Sequence, residues 1–311
     1  MHLLNRNLYL KSVLCAVIAL PVLAHAGTLY VNCGAHKGLT QIQKAINLLQ
    51  QTEISTANTI AVSGSCQENI TIQSMDNLTL TAQNGASITD ASNGTLDVMD
   101  IIDSRRVSIN GFTIDGGANG VVCTNYSLCR FTANTIQNSA GAGVWAIDSQ
   151  VRFEGDTLQN NGVRGLSVVN GSQADGDSLT VRGNGNGVVL VAKGTLILAN
   201  SLVQGNQNVG IRAAEGSTIR VLVSTITGNL GNGVELDQNA QARFESFSGS
   251  NGITNNGSAG VYVGNLSFAF FDSNSNVTGN AGGTDVVCGV QYSATQGALT
   301  NIGGTTNCVE P

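Results

Sequence analysis

The sequence predicts an all-β chain folded as a single-stranded, right-handed parallel β-helix of about ten turns. Three observations carry this prediction. A glycine followed by an aliphatic residue returns at Gly120, Gly143, Gly165, Gly187, Gly210, Gly233 and Gly260, in steps of 22 or 23 residues and one of 27. Eight or nine residues before most of these pairs stands another aliphatic residue with an Asn after it, as in Ile136 with Asn138, Leu158 with Asn160, Leu202 with Asn206, Ile226 with Asn229, Ile253 with Asn255 and Val277 with Asn280. Between these landmarks lie only short segments of strand period, such as Val144-Trp145-Ala146-Ile147, Val151-Arg152-Phe153 and Thr157-Leu158. Alternate residues of a strand face opposite sides, so each repeat offers about three short strands with one apolar face apiece. None can close a core alone; stacking the turns at roughly 4.8 Å buries the faces in one column. Parallel crossovers are right-handed, which sets the expected hand. Propeller repeats are longer, at ~40 residues, and the Leu-x-x-Leu-x-Leu pattern of leucine-rich repeats is absent. Gly is expected at the corners, where positive φ is cheap, and Asn can stack its amides from turn to turn.

The elements follow in order. Residues 1–26 read as a secretory signal: Arg6 and Lys11 carry positive charge, Ser12 to Leu23 are apolar, and Ala24-His25-Ala26 fits a cleavage site. The apolar stretch is shorter than the ~18 residues of a spanning helix, and no later segment could span a membrane. Residues 27–311 form one domain. Gly27 to Val31 is a strand. Leu39, Ile42, Ile46 and Leu49 share a helical face, and Thr40 with Gln43 makes a capping box, so Thr40–Gln51 is a helix covering the open end of the coil. Thr59–Val62, Ile70–Ile72, Leu78–Thr81, Val107–Ile109 and Phe112–Ile114 are strands of the first turns. Gly283–Gln291 is the last strand, and Thr295–Pro311 is a tail. Six Cys remain after the signal, an even number that reads as disulfides in a secreted chain. Proximity and the repeat favour Cys33 with Cys66, Cys123 with Cys129 and Cys288 with Cys308; the middle two fall on inward positions, so two buried thiols are the alternative there.

Composition narrows function. Without Arg6 and Lys11 the chain has 12 basic and 20 acidic residues, a net charge of −8, which disfavours nucleic acid or an anionic bilayer as partner. His36 is the single His after residue 26, so a Ser-His-Asp triad on the coils and a multi-His metal site are excluded. One outward face remains. The residues following the Gly-aliphatic pairs are Val122, Trp145, Ser167, Val189, Arg212, Glu235 and Tyr262, and two further along come Thr124, Ile147, Val169, Val191, Ala214, Asp237 and Gly264. Trp145, Arg212, Glu235, Asp237 and Tyr262 are the candidate binding group: two ring platforms, a cation for a sugar carboxylate, and two carboxylates that could hold Ca²⁺, which takes oxygen ligands. The plainer reading of Arg212 and Glu235 is a surface ion pair worth ~0–1 kcal/mol. The Val122, Ile147, Val169, Val189 and Val191 run is an apolar outer stripe, either covered by a loop or open to a partner.

Val31-Asn32-Cys33, Ile42 to Ile46, Gly64 to Ile70 and the Asn-x-Ile-x-x-Asn and Gly-Val repeats resemble secreted right-handed β-helix proteins of the pectate-lyase-like superfamily over nearly all of residues 28–290. The resemblance implies the fold; one such fold hosts alginate epimerases, polysaccharide lyases and proteins without known activity. The Asp-Pro-His-Asp strand of the epimerases cannot exist here, since Pro311 is the single Pro after residue 26. The Asp-rich and Gly-His-Gly motifs of polygalacturonases are absent as well. The expectation is a secreted or periplasmic, non-catalytic carbohydrate-binding or structural protein of the cell envelope, with a polysaccharide as its partner. The alternative is a lyase or epimerase acting on a uronic-acid polymer. Oligomeric state is not legible.

Overall fold

The computed structural model describes residues 27–52, 57–246, 248–289, 294–297 and 303–308, so the leader expected at residues 1–26 lies outside them. Ten strands stack in chain order as one parallel sheet, from Ile70–Gln73 through Ala142–Ile147 to Val286–Cys288. They are the Gly-aliphatic strands and their counterparts in the first and last turns, and they count ten turns. The other two sides of the coil form a second sheet of twenty strands. These sides join because Leu78–Thr89 pairs by one half with Val107–Asn110 and by the other with Thr113–Asp115. All strand pairings are in parallel register, and Trp145 sits opposite Val122 on one side and Ser167 on the other. The aliphatic residues of the pairs, Val121, Val144, Leu166, Val188, Ile211, Val234 and Val261, form one column of zero exposure. Phe131 stacks on Phe153 at 5.2 Å, and Phe244 on Phe271 at 5.0 Å.

The Asn column differs from the sequence reading by one residue at three corners, while Asn206, Asn229 and Asn280 stand in it as read. Asn138, Asn160 and Asn255 have positive φ and make the corner, while the next residue points inward. The buried ladder is Asn161, Asn184, Asn206, Asn229, Asn256 and Asn280. Each side-chain amide donates to the carboxamide oxygen of the next, as Asn206 Nδ2 does to Asn229 Oδ1 at 2.8 Å, and that oxygen also accepts the Asn206 backbone N–H at 3.1 Å. The ladder ends on Asp285, whose Oδ1 accepts the backbone and side-chain N–H groups of Asn280. Burial works against the Asp285 carboxylate, but donors from Asn280 and Thr305 outweigh it and hold its pKa below the usual range. Serines do the same at another corner, where Ser104, Ser127 and Ser149 each take the N–H of the turn before.

The repeating glycines are not the corner residues. A Cβ on Gly210 would lie 2.6 Å from the Gly233 carbonyl oxygen and 2.7 Å from Asn229 Nδ2; on Gly233 it would meet Gly260 and Asn256 in the same way. These glycines make room for the ladder and the next turn. Corner glycines with positive φ, such as Gly205 and Gly228, stand immediately before ladder residues.

The helix spans Ile42–Thr52 and buries Ile42, Ala45, Ile46 and Leu49 against the first turn. Its start is not a capping box. The buried Glu68 carboxylate accepts the N–H of Ile42 at 2.7 Å and of Gln43 at 3.1 Å, capping the helix from the first coil. Gln43 turns away to the open edge of the ten-stranded sheet. There its amide donates to the Thr71 carbonyl and accepts the Thr71 N–H, while Gln50 donates to the Gln73 carbonyl. Side-chain amides thus stand in for the missing neighbour strand. All three expected disulfides form, with Cα separations of 5.1 Å for Cys33–Cys66, 6.7 Å for Cys123–Cys129 and 5.1 Å for Cys288–Cys308. Part of the expected tail is a strand: Ala294–Gly297 pairs with Phe268–Phe271. The last strand of the ten-stranded sheet is Val286–Cys288, within the expected Gly283–Gln291, of which residues 290 and 291 lie outside the described residues.

Asn229→Ala should destabilise the coil by about 2–4 kcal/mol, because it strands the Asn206 N–H and removes two buried donors. Gly210→Ala should cost about 1–3 kcal/mol by overpacking. Exposed Gln207→Ala should stay within about 0.5 kcal/mol. Chemical denaturation followed by circular dichroism measures all three; equal midpoints for the three variants would contradict the ladder's role.

Candidate functional site

The outward column of the ten-stranded sheet has the register read from the repeat: Val122, Trp145, Ser167, Val189, Arg212, Glu235 and Tyr262 occupy successive turns. At about 4.8 Å per turn, Trp145 and Arg212 are ~14 Å apart. Arg212 Nε lies 3.3 Å from Glu235 Oε1, and the other Glu235 oxygen accepts Asn232 Nδ2 at 3.0 Å. Asp237 is on the same strand end, where its Oδ1 accepts the N–H of Gln238 and of Asn265. Tyr262 lies over two glycines: a Cβ on Gly289 would overlap its ring, and one on Gly264 would come within 3.1 Å of it. Arg212, Glu235, Asp237 and Tyr262 are therefore one group, with Trp145 apart from it toward the N-terminal end.

Around Trp145 the outer face is partly covered. Val122, Ser167 and Val189 point outward yet are buried, at 7%, 0% and 6% exposure. The apolar stripe is thus covered at those two valines. Arg164 lies across the face and donates to the Ser167 hydroxyl at 3.0 Å. Trp145 itself is half-buried, and its indole N–H is shielded without an acceptor, a state that costs of order 1–3 kcal/mol in a folded protein.

Two groups on this face were not read from the sequence. Asp100 pairs in register with Val122, so it extends the Trp145 column by one turn. Burial, then the neighbouring Asp97 carboxylate, pushes its pKa up to about 6. Asp97 is fixed by two donors from Asn119, its backbone N–H and its Nδ2, each at 2.8 Å. The Asp-x-x-Asp spacing was visible, but these turns precede the regular repeat, so its phase was not.

The second side of the coil carries an outward column of Ser108, Arg130, Arg152, Asp175, Ile197, Arg220, Arg243 and Phe270. A groove of about 400 Å³ opens there, lined by Arg106, Leu128, Arg130, Gln150, Arg152, Gln173 and Asp175 among others. The 22-residue step from Arg130 to Arg152 was the available signal. Other cations of this side are paired: Arg106 with Asp76, Arg130 with Glu154 at 3.0 Å, and Arg220 with Glu245 at 2.8 Å. Arg243 bonds Glu245 and lies 5.0 Å over the Phe270 ring. The third side spends its polar groups on itself, in a chain from Arg182 to Gln159, Gln137 and Asp115.

Because folding raises the Asp100 pKa from 3.8 to about 6, its proton is bound more tightly in the folded state. That contribution is complete below the unfolded pKa and is lost as pH rises through about 6. Asp100→Asn should therefore shrink the stability difference between pH 5 and pH 7. Denaturant midpoints of both proteins at the two pH values check this; an unchanged difference contradicts the raised Asp100 pKa.

The right-handed β-helix region family model matches residues 119–281, just over half of the chain. A cell surface glycoprotein of Methanothermus fervidus is 34% identical over 139 residues, covering 44% of this chain and 22% of that protein. The chain thus spans about a fifth of that relative's length. Among solved structures, the A-module of a mannuronan C-5 epimerase of Azotobacter vinelandii has a TM-score of 0.61 at 13% identity, over 90% of this chain and 98% of that one. A pectate lyase has a TM-score of 0.59 at 11% identity, over 82% and 80%. At these identities the likeness concerns the fold. No helix among the described residues is long and apolar enough to cross a membrane. The disulfides and the surface relative are consistent with an extracellular location. The chain belongs to the right-handed β-helix family.

Proposed function

We propose that this protein is a secreted or periplasmic, non-catalytic carbohydrate-binding protein of the cell envelope, with a polysaccharide lying along the Trp145–Tyr262 face. The observation that carries the reading is the unbroken outward register from Trp145 through Arg212 and Glu235 to Tyr262. It holds two half-buried rings and an ion pair on one rigid surface, which suits ring stacking with a few convergent polar contacts. The names of the relatives point the same way: one is a cell surface glycoprotein, and two structural neighbours act on mannuronan and pectate. No cofactor is assigned. Calcium takes six to eight oxygen ligands, whereas Glu235 is engaged by Arg212 and Asn232, and Asp237 by two backbone N–H groups. The donor set does not fit a calcium cage.

A polysaccharide lyase or epimerase is the second reading. It is favoured by Asp100, a carboxyl near pH 6 on the same column as Trp145. Such a group can act as an acid or base near neutral pH.

Trp145 is the single tryptophan of the chain, so intrinsic emission reports this face alone. Addition of the cell-wall polysaccharide that binds should shift that emission. Trp145→Ala with Tyr262→Ala should weaken binding of that polymer at least tenfold while the circular dichroism stays unchanged. Unaltered binding would move the site elsewhere, and unfolding would make the rings packing residues. Incubation with polygalacturonate and alginate, watched for unsaturated product, decides the second reading; product formation abolished by Asp100→Asn would establish it.

A further inference from the structure

We propose that the groove on the second side is a separate binding site for neutral oligosaccharides, and that Arg152 and Asp175 hold a vicinal diol between them. This rests on the carbohydrate-binding reading and adds a surface and a sugar class to it. Arg152 and Asp175 are register partners on adjacent turns, about 4.8 Å apart along the coil. They do not pair with each other. Arg152 is exposed and makes no ion pair or hydrogen bond among the described residues, and Asp175 accepts only the Gln173 amide, at 3.1 and 3.2 Å. A cation and a carboxylate are left side by side, each with bonding capacity to spare. One sugar hydroxyl can accept from the guanidinium while its neighbour donates to the carboxylate.

The charge balance selects a neutral ligand. Of the three guanidinium groups lining the groove, Arg106 is neutralised by Asp76 and Arg130 by Glu154, and Arg152 is offset by Asp175. No net positive charge remains to hold a polyanion, and the chain as a whole is acidic. An apolar contact is present as well. A hollow of about 200 Å³ shares Leu128 and Gln150 with the groove and is walled by Tyr126. Tyr126 is 78% exposed and Leu128 37% exposed. Tyr126 holds a φ of 61°, in the left-handed region that a bulky side chain rarely occupies. The same left-handed corner recurs at Asp103 and Asp148, and at Tyr126 it presents a ring to the groove mouth, where sugar C–H faces can stack on it.

The test uses the full secreted chain carrying Trp145→Ala and Tyr262→Ala, which isolates the groove from the first face. Cellohexaose, laminarihexaose, mannohexaose and hexagalacturonate are titrated in turn by calorimetry. At least one neutral hexaose should bind more tightly than hexagalacturonate. Adding Arg152→Gln with Asp175→Asn should weaken it at least tenfold at an unchanged melting temperature; both side chains point outward, so folding is retained. Tyr126→Asn, which suits the left-handed backbone, should weaken it too. In the protein that keeps Trp145, hexaose binding should leave the emission unmoved. The proposal is overturned by preference for hexagalacturonate, or by hexaose binding that survives the Arg152 and Asp175 changes. It also falls if glycans bind only when Trp145 and Tyr262 are present, in which case the first face stands alone. If no glycan binds in either background, both readings fall.

Discussion

The structure depends on one contact repeated from turn to turn: the amide of a buried Asn against the backbone of a glycine-containing strand. Asn229 Nδ2 bonds Asn256 Oδ1 at 2.9 Å, reaches the Val203 carbonyl, and would touch a Cβ placed on Gly210. A residue inserted at the ladder corner itself would move the carboxamide off its partner and strand a backbone N–H in the core, at a cost of about 1–3 kcal/mol. The longer step from Asn229 to Asn256 keeps the bond because its extra residues lie between the strands Gln241–Glu245 and Asn251–Thr254. Glycine is needed because the next turn's carbonyl occupies the place of its side chain. Asn is needed because only a short side chain with both donor and acceptor can serve its two neighbours at once. The ladder therefore fixes the height of each turn at the corner, and a fixed height produces straight columns of side chains outside.

Those columns explain why a chain with few charged residues can still build surfaces. An outward position repeats at a fixed height, so neighbours in a column always meet, whatever their types. On the third side this yields the closed run from Arg182 to Asp115. On the second side it gathers four arginines into one column, three of them paired with carboxylates beside it. On the first side it places Trp145 among covered residues and Arg212 against Glu235. What distinguishes a candidate site from ordinary surface is the group left incomplete: the Trp145 N–H, the Asp97–Asp100 pair, and Arg152 beside Asp175.

The fold was legible because its period is a physical length. Gly143 to Gly165 to Gly187 is one circuit of the coil each time, and the stacking of Trp145 with Val122 and Ser167 followed by counting. The Asn column was misplaced by one residue at three corners for a definite reason. Asn is favoured both in the left-handed corner and at the inward position after it, so Asn160-Asn161 and Asn255-Asn256 leave composition unable to choose. Gly183-Asn184 and Gly205-Asn206 resolve the choice, since only the corner accepts glycine in place of Asn. The helix cap was misread because its acceptor, Glu68, lies 26 residues from the first N–H it caps. No local pattern carries that information.

Site residues were less legible than the fold because the fold asks so little of them. An outward side chain in a β-helix is free of the ladder and of the core, so its type can vary without changing the turn. Arg130 and Arg152 share the phase of the repeat, but only register with Asp175 and the pairing of Arg130 with Glu154 separate the unmatched cation from the matched ones. Pairing is a property of rotamers and of neighbours three strands away in sequence. The same freedom lets one scaffold present different chemistry on each side. Its rigidity gives each side a further advantage for weak, extended ligands: little surface must be ordered on binding, so modest contacts are not offset by a large entropic cost. A coil held at one pitch by its ladder is thus suited to a polymer that repeats along the same axis.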